Sequence, residues 1–534
     1  MKRVLLGDEA IAQAAIDAGL SGVYAYPGTP STEVTEYIQM AVARNPQLAI
    51  FCKWATNEKT AMEAALGMSY MGKRALVCMK HVGMNVCADA FMNAAITGVN
   101  GGLVVLAADD PSMHSSQNEQ DSRFYAKFAM IPCVEPSNQQ EAYDLTRYAF
   151  DLSEQLHEPV LLRVTTRMAH SRAVVQTAEE RAQNDMSFPH NVQHFILLPA
   201  FAKRNYAELV AAQPTFIKES EQSGYNFYYK GPQPEKAIVT TGIGFNYFRE
   251  ALGNDKGASA SILKIVQYPL PEALIQQMVA DGVKQILVIE EGQPVVEELL
   301  RGLVPSDVVI KGRLTGDLPR MGELTPDCVR EALGFPPLQT REPDSLVVSR
   351  PPALCQGCGH RDMYAALNEV AREYTNPRIF GDIGCYTLGA LSPFHAIHAC
   401  VEMGASVTMA KGAADAGQHP AIAVIGDSTF THSGMTGLLD CVNSNANVVV
   451  LISDNLTTGM TGGQDSAGTG RLEQICQGLG VAPEHIRVVV PLPKNMEEIK
   501  QALREEIDYN GVSVVIARRE CIQTLKRHLK EAKK

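Results

Sequence analysis

A chain of 534 residues is longer than one hydrophobic core organises, and at about 100 to 200 residues per domain it is expected to fold as three domains. Its 46 % hydrophobic and 20 % charged residues exclude a disordered or fibrous chain. A formal net charge of -12 argues against nucleic acid or an anionic membrane as partner, since either would repel the chain unless it carried a concentrated basic patch. The opening "MKRVLLGDEAIAQAA" is interrupted by Asp8 and Glu9 before a signal-peptide core can form. No apolar run reaches the roughly eighteen residues of a membrane span, so a cytoplasmic protein is expected. In that reducing setting the twelve cysteines read as free thiols, metal ligands or redox groups rather than disulfides.

Short runs rich in Val, Ile and Leu recur along the chain, with helix-like segments between them. They are "RALVCMK", "GGLVVLAADD", "PVLLRVTTR", "AIVTTGIGF", "QILVIEEGQ", "AIAVIGDS", "NVVVLISDN" and "VSVVIARRE". Strands buried on both faces have this composition, which predicts an α/β fold of parallel sheets flanked by helices. Two stretches break the rhythm. Residues from about 185 to 234 mix Asn, Gln, Pro and Tyr without clear periodicity, and residues 336 to 352 carry Pro336, Pro337, Pro351 and Pro352 around a polar run. The expected division is therefore 1–190, a linker or insertion at 191–234, a middle domain at 235–340 and a last domain at 350–534.

Near the start, "YPGTP" sets the Thr29 hydroxyl in a Gly and Pro turn, where such a residue ordinarily satisfies its own backbone. Glu58 stands near the start of a helical, Ala-rich segment that leads into "RALVCMK". A Glu in a first helical turn is usually a dipole-stabilising group. Glu63, five residues on, falls on another face. The stretch "DDPSMHSSQNEQDSR" offers His114, Gln117 and Arg123 as groups for a substrate carboxylate, and the single Trp54 reads as core. "TGIGFNY" lacks the third glycine of a dinucleotide fingerprint and is read as the close of a strand.

The last domain carries the densest signals. Cys355 and Cys358 form a CxxC, which by itself fits half a zinc knuckle, a redox pair or neither. "AIAVIGDS" ends in Gly426 and Asp427, and "NVVVLISDN" ends in Asp454 and Asn455, so that Asp427 and Asn455 lie 28 positions apart. In an open parallel sheet ligands collect beyond the carboxyl ends of strands. Gly426 there lets backbone approach a phosphate, and Asp427 and Asn455 are oxygen donors suited to Mg2+. The bland alternative is a turn and a helix cap. The pairing resembles the GDG(x)NN signature of thiamine diphosphate enzymes, with Ser428 in place of the last Gly and Asp454 in place of the first Asn, and the resemblance adds the carbonyl of Thr457 as a third ligand. Thiamine diphosphate needs a carboxyl group sharing a proton with its aminopyrimidine, a role for which Glu58 is the candidate.

Seven blocks, "YPGTPSTEV", "NEKTAMEAALGMSYMGKRALVCMKHVGMNVCAD", "ADDPSMHSSQNEQDSR", "CQGCGHRDM", "GDIGCYTLG", "GDSTFTHSGM" and "TGGQDSAGTG", together resemble the large subunit of indolepyruvate:ferredoxin oxidoreductases, within the 2-oxoacid:ferredoxin oxidoreductases. The resemblance spans essentially the whole chain. It implies a pyrimidine-binding domain first, a transketolase C-terminal-like domain second and a diphosphate-binding domain last. It implies Glu58 as the activating carboxylate, Thr29 beside the substrate, and Gly384, Gly426 and Ser428 against the cofactor; His114 is carried as a further catalytic candidate on its local stretch alone. It also implies one 4Fe-4S cluster on Cys355, Cys358, Cys385 and Cys521, the last by position rather than local motif. The pyruvate enzymes use an Arg from the region of Arg123, but the local sequence differs here. Coenzyme A as co-substrate, a small beta subunit in an α2β2 assembly, and ferredoxin or another electron carrier are further implications. No CxxCxxCxxxC run occurs up to Lys534, so electrons are expected to leave through another polypeptide or to pass directly to a docked carrier. The other eight cysteines, at 52, 78, 87, 133, 328, 400, 441 and 476, read as packing residues. Two rival readings are a non-oxidative thiamine diphosphate lyase with structural cysteines and a catalytically silent assembly subunit.

Overall fold

All eight apolar runs are strands, and their lack of alternation has a direct cause. In the first sheet Ala75, Val77 and Met79 face one core together with Leu103, Val105 and Ala107. The intervening Leu76 and Cys78 face another, with Val104, Leu106 and Ala108. Both faces are covered by helices, so both sets of alternating side chains are apolar. The computed structural model describes residues 1–253, 259–336 and 342–531. The chain divides into two compact units, Met1–Arg341 and Glu342–Lys534.

The first unit contains a seven-stranded sheet in the order Gln267–Tyr268, Cys133–Val134, Val160–Thr165, Leu103–Asp109, Ala75–Lys80, Gly22–Ala25 and Phe51–Trp54. Only the pairing of Gln267–Tyr268 with Cys133–Val134 is antiparallel. A five-stranded sheet follows, ordered Val309–Lys311, Gln285–Ile289, Gln233–Thr241, Ala260–Ile265 and Phe227–Tyr229. Strand Gln233–Thr241 ends inside "TGIGFNY", and helix Gly244–Leu252 starts there, as the missing third glycine leads one to expect. Trp54 is only partly buried, at the end of an edge strand.

The stretch expected to be an irregular linker or insertion is instead largely helical. Pro199–Gln222 forms a 24-residue helix that buries Asn205, Leu209, Phe216 and Ser220. Two of these four are polar, and Asn205 is satisfied by donating to the His194 carbonyl at 2.7 Å. The buried stripe is therefore not a hydrophobic one, which hides its period. Strand Phe227–Tyr229 then pairs antiparallel with Ala260–Ile265. Of the proline-marked stretch, 337–341 lies outside the described residues, and 342–358 forms no helix or strand.

The second unit holds one six-stranded sheet, all parallel, ordered Ala399–Cys400, Arg378–Gly381, Ala421–Gly426, Val448–Asp454, Val512–Arg518 and Ile486–Val489. Two apolar cores again use alternate residues of the same strands, Ile422 and Val424 on one side and Ala423 and Ile425 on the other.

Candidate functional site

Parallel register decides what meets at the end of the second unit's sheet. Gly426 is level with Ser453, and Asp454 is level with Arg518. The chain therefore leaves adjacent strands at one rim of the sheet, and Asp427 and Asn455 become neighbours in space. Asp427 is 2 % exposed. Its Oδ2 has no hydrogen-bond partner among the described residues. Burial pushes its carboxyl up to about 7, with Ser466 opposing and the charge of Asp454 adding to the rise. A buried carboxylate oxygen left in this way is costly unless a cation or a proton meets it. Asp454, by contrast, is committed: Arg518 Nε donates to its Oδ2 at 2.5 Å, and the same guanidinium pairs with Glu473 at 2.7 Å.

Asn455 is thereby left as the polar side chain of that strand end. Leu456 follows with φ 62, a left-handed turn that lets the Thr457 N–H donate to Asn455 Oδ1 at 3.2 Å. Thr457 is buried, and its hydroxyl donates to the Gln464 carbonyl at 2.9 Å. The Ser428 hydroxyl lies 2.9 Å from that of Thr458, tying the two strand ends together. Gly426 and Gly384 both abut the buried Tyr386 ring. A Cβ would stand 2.6 Å from its Cε1 at Gly426 and 2.3 Å at Gly384, so the absent side chains first make room for this ring. Asp427, the Asn455 amide and the Thr457 backbone amount to a hard oxygen donor set of the kind Mg2+ accepts.

Cys355, Cys358, Cys385 and Cys521 line one cavity of about 350 Å³, which Asn455 also lines. Cys355 and Cys358 precede helix Gly359–Ala371, Cys385 follows strand Arg378–Gly381, and Cys521 follows strand Val512–Arg518. The Cys521 N–H donates to the Asn455 carbonyl at 3.0 Å. Gly459 completes the wall, since a Cβ there would stand 3.4 Å from Asn455 Nδ2 and 3.5 Å from Cys385 Sγ. Burial pushes the Cys385 thiol up to about 12, and the charges of Cys521, Cys358 and Cys355 add to the rise. Four thiols from three loops match the one-thiolate-per-iron demand of a 4Fe-4S cube, whose binding would release their protons. Of the eight other cysteines, Cys78, Cys87, Cys133, Cys441 and Cys476 are buried, while Cys52 and Cys328 are half-buried. Cys400 is exposed, so the packing reading fails for it.

In the first unit Glu58 opens helix Glu58–Tyr70 and is 5 % exposed, although the capping is done by Asn57, which accepts from the Thr60 N–H at 2.9 Å. Gly83 on the next helix makes room for it, since a Cβ there would stand 2.8 Å from Glu58 Oε1. Lys80 ends the strand before that helix and feels the charges of Asp110 and Glu58, which offset part of the lowering that burial imposes on its ammonium. Lys80 Nζ donates to the Ser115 carbonyl at 3.0 Å, and its stem lies against Gly28. The Ser115 hydroxyl donates to the Thr29 carbonyl at 3.4 Å. Lys80 thus joins Glu58 to the Thr29 turn. It was missed in the sequence, where the signal was a lone cation closing the otherwise apolar "ALVCMK".

The other substrate-end candidates fare worse. His114 Nε2 lies 3.1 Å from Glu323 Oε2, on which Arg167 also converges at 2.9 Å. Gln117 is exposed. Arg123 is fully buried and its donors are spent: it donates to Glu290 at 2.9 Å, the Gln293 carbonyl at 2.8 Å and Asp121 at 2.6 Å. It braces the fold instead of meeting a substrate.

Residues 13–219 match the family described as pyruvate flavodoxin/ferredoxin oxidoreductase, thiamine diP-binding, a match that runs nearly to the end of the long helix. Residues 382–517 match the thiamine pyrophosphate enzyme C-terminal TPP-binding domain. Indolepyruvate oxidoreductase subunit IorA of Archaeoglobus fulgidus is 38 % identical over 549 residues, covering 97 % of this chain and 86 % of that protein. The IorA of Pyrococcus abyssi is 36 % identical over 566 residues, covering 97 % and 85 %. A 2-oxoglutarate:ferredoxin oxidoreductase from Magnetococcus marinus, solved with 2-oxoglutarate, coenzyme A and succinyl-CoA bound, is alike in fold, with a TM-score of 0.52 at 15 % identity over 62 % of this chain and 65 % of that one.

Proposed function

Because the chain belongs to the family of the IorA subunits of indolepyruvate oxidoreductase, we propose that it carries out thiamine diphosphate-dependent oxidative decarboxylation of an aryl 2-oxoacid to the acyl-CoA. Cys355, Cys358, Cys385 and Cys521 would hold a 4Fe-4S cluster, which would supply a one-electron path to ferredoxin or a similar carrier. The complex pairs this chain with a small beta subunit as α2β2. One observation carries the reading: a single rim of the second sheet gathers four thiols and the orphaned Asp427 carboxylate around Asn455. Bound there, thiamine diphosphate would supply a carbon nucleophile for decarboxylation and the cluster a one-electron acceptor.

The remaining roles fall to this chain's own residues. Asp427, Asn455 and the Thr457 carbonyl would hold Mg2+ for the diphosphate, with Gly384, Gly426 and Ser428 beside them. Glu58 would share a proton with the aminopyrimidine nitrogen, a task its buried position and the Gly83 cradle favour. Lys80 and Thr29 meet the substrate carboxylate, the ammonium supplying the charge that Arg123 cannot. His114, tied to Glu323, positions the loop beside Ser115. The test is anaerobic co-purification with the partner subunit, iron and sulfide analysis, and reduction of a viologen dye across a panel of 2-oxoacids. Dye reduction that needs both an arylpyruvate and coenzyme A is expected. Decarboxylation without dye reduction in iron-free protein would establish the lyase, and no turnover on any 2-oxoacid would establish a silent subunit.

A further inference from the structure

The first unit holds a second set of donors, to which no role has been given so far. The antiparallel pairing of Lys2–Leu6 with Arg172–Gln176 sets Leu6 opposite Arg172. The Gly7 N–H extends it by donating to the Ser171 carbonyl at 3.1 Å. Continuing the pairing outward brings Asp8 level with His170. Glu33, in the first turn of helix Thr32–Arg44, closes the group. One ligand atom from each of Asp8, Glu33 and His170 lies within 4.8 Å of the other two, and His170 Nε2 is 3.6 Å from Glu33 Oε1.

What singles this cluster out is the condition of Asp8. It is 0 % exposed, and neither of its carboxylate oxygens has a hydrogen-bond partner among the described residues. Glu33 Oε2 lacks one as well. Helix capping does not account for Asp8, because Glu9 does that work by accepting from the Leu6 N–H at 2.8 Å. No Lys or Arg pairs with either carboxylate among the described residues. Burial and the charge of Glu33 hold the Asp8 carboxyl well above its ordinary range. Two carboxylates facing each other in this way need a positive charge between them or a shared proton. Glu33 and His170 remain 36 % and 35 % exposed, which leaves a way in from solvent.

We propose that Asp8, Glu33 and His170 bind a divalent cation of the intermediate class, Mn2+ or Zn2+, at a site separate from Asp427. Two carboxylates and one imidazole are the mixed oxygen and nitrogen set these ions accept, at about 2.0 to 2.2 Å from each ligand. The ion joins the starts of helices Gly7–Asp17 and Thr32–Arg44 to the turn before Arg172. Thr29 lies four residues ahead of Glu33, so the ion also steadies the turn that carries Thr29.

The test uses Mn2+, which the cysteine thiols disfavour, on the full complex stripped of metal and thiamine diphosphate. Electron paramagnetic resonance counts bound Mn2+ in the wild type, Asp427→Asn, Asp8→Asn and Glu33→Gln. The expected result is one ion per chain retained in Asp427→Asn, bound at least tenfold more weakly in Asp8→Asn and in Glu33→Gln, with an imidazole nitrogen coupling that His170→Gln abolishes. The thermal midpoint of Asp427→Asn should rise with Mn2+, and that rise should vanish when Asp8→Asn is added. An Asp427→Asn protein that binds no Mn2+ would overturn the proposal and leave the thiamine diphosphate reading standing. A retained ion without nitrogen coupling would overturn it too. If Asp8→Asn fails to fold, Glu33→Gln and His170→Gln decide the matter.

Discussion

Around Arg163, at strand ends of the first unit, each buried charge has a partner. Arg163, fully buried, donates to Asp109 at 2.7 Å and to the Glu291 carbonyl at 2.9 Å, and it pairs with Glu135, while Arg123 beside it is equally spent. At the strand ends of the second unit, Asp427 keeps an unmet oxygen and four thiols face a cavity. Both clusters are polar, and of the two only the second is left unfinished. The difference separates charge that holds a fold from charge that waits for a ligand, because a buried polar group without a partner is tolerated mainly where function needs it.

The largest effect expected from breaking this contrast is at the thiols. Cys385→Ser should abolish bound iron and sulfide, measured on anaerobic protein, with little change in far-ultraviolet circular dichroism. Glu58→Gln should keep cofactor binding and lower 2-oxoacid-dependent dye reduction by roughly 10²- to 10⁴-fold, the usual worth of a positioned acid or base. Arg163→Met acts on the other side of the comparison. It leaves Asp109 without its ion pair and Glu135 without its nearer arginine, and should cost about 3 to 5 kcal/mol in urea unfolding. Asp427→Asn should do the reverse in cofactor-free protein. Removing a buried carboxylate whose Oδ2 has no partner should raise stability by about 1 kcal/mol or more while ending Mg2+-dependent cofactor binding, as read by calorimetry. If Asp427→Asn destabilised as much as Arg163→Met, the two clusters would not differ in kind.

Much of this was legible in the sequence, for physical reasons. Doubly covered strands must be apolar on both faces, so the eight runs could be read directly, and adjacent parallel strands turn a 28-residue spacing into the spatial proximity of Asp427 and Asn455. Other features depend on partners far along the chain. Arg123 is saturated by Glu290, 167 residues on, which no local pattern reveals. Asp8 meets His170 only because the first strand pairs with Arg172–Gln176. Helix Pro199–Gln222 went unread because Asn205 and Ser220 occupy its buried stripe.

The smallest effect tests whether an orphaned carboxyl alone marks a ligand site. Glu158 lies between helix Gln139–Leu156 and strand Val160–Thr165, at the amino end of the sheet, opposite the rim that carries Lys80 and Asp109. It is 9 % exposed, its Oε2 has no partner among the described residues, and burial pushes its carboxyl up to about 9. Below the unfolded value, near 4.5, both states are protonated and the group exerts no pH-dependent cost. As pH rises from there toward 9, the unfolded chain ionises first, so the stability held at low pH is progressively lost. Glu158→Gln should remove that slope, leaving the variant about 1 to 2 kcal/mol more stable than the wild type at pH 8 and nearly equal at pH 4.5, by urea unfolding. Mg2+ should leave the Glu158 slope unchanged, because among the described residues Glu158 belongs to no cluster of acidic or His groups able to hold an ion. A slope that Mg2+ removed would mean that an unmet carboxylate draws cations wherever it is buried, and the convergence of strand ends would lose its special meaning.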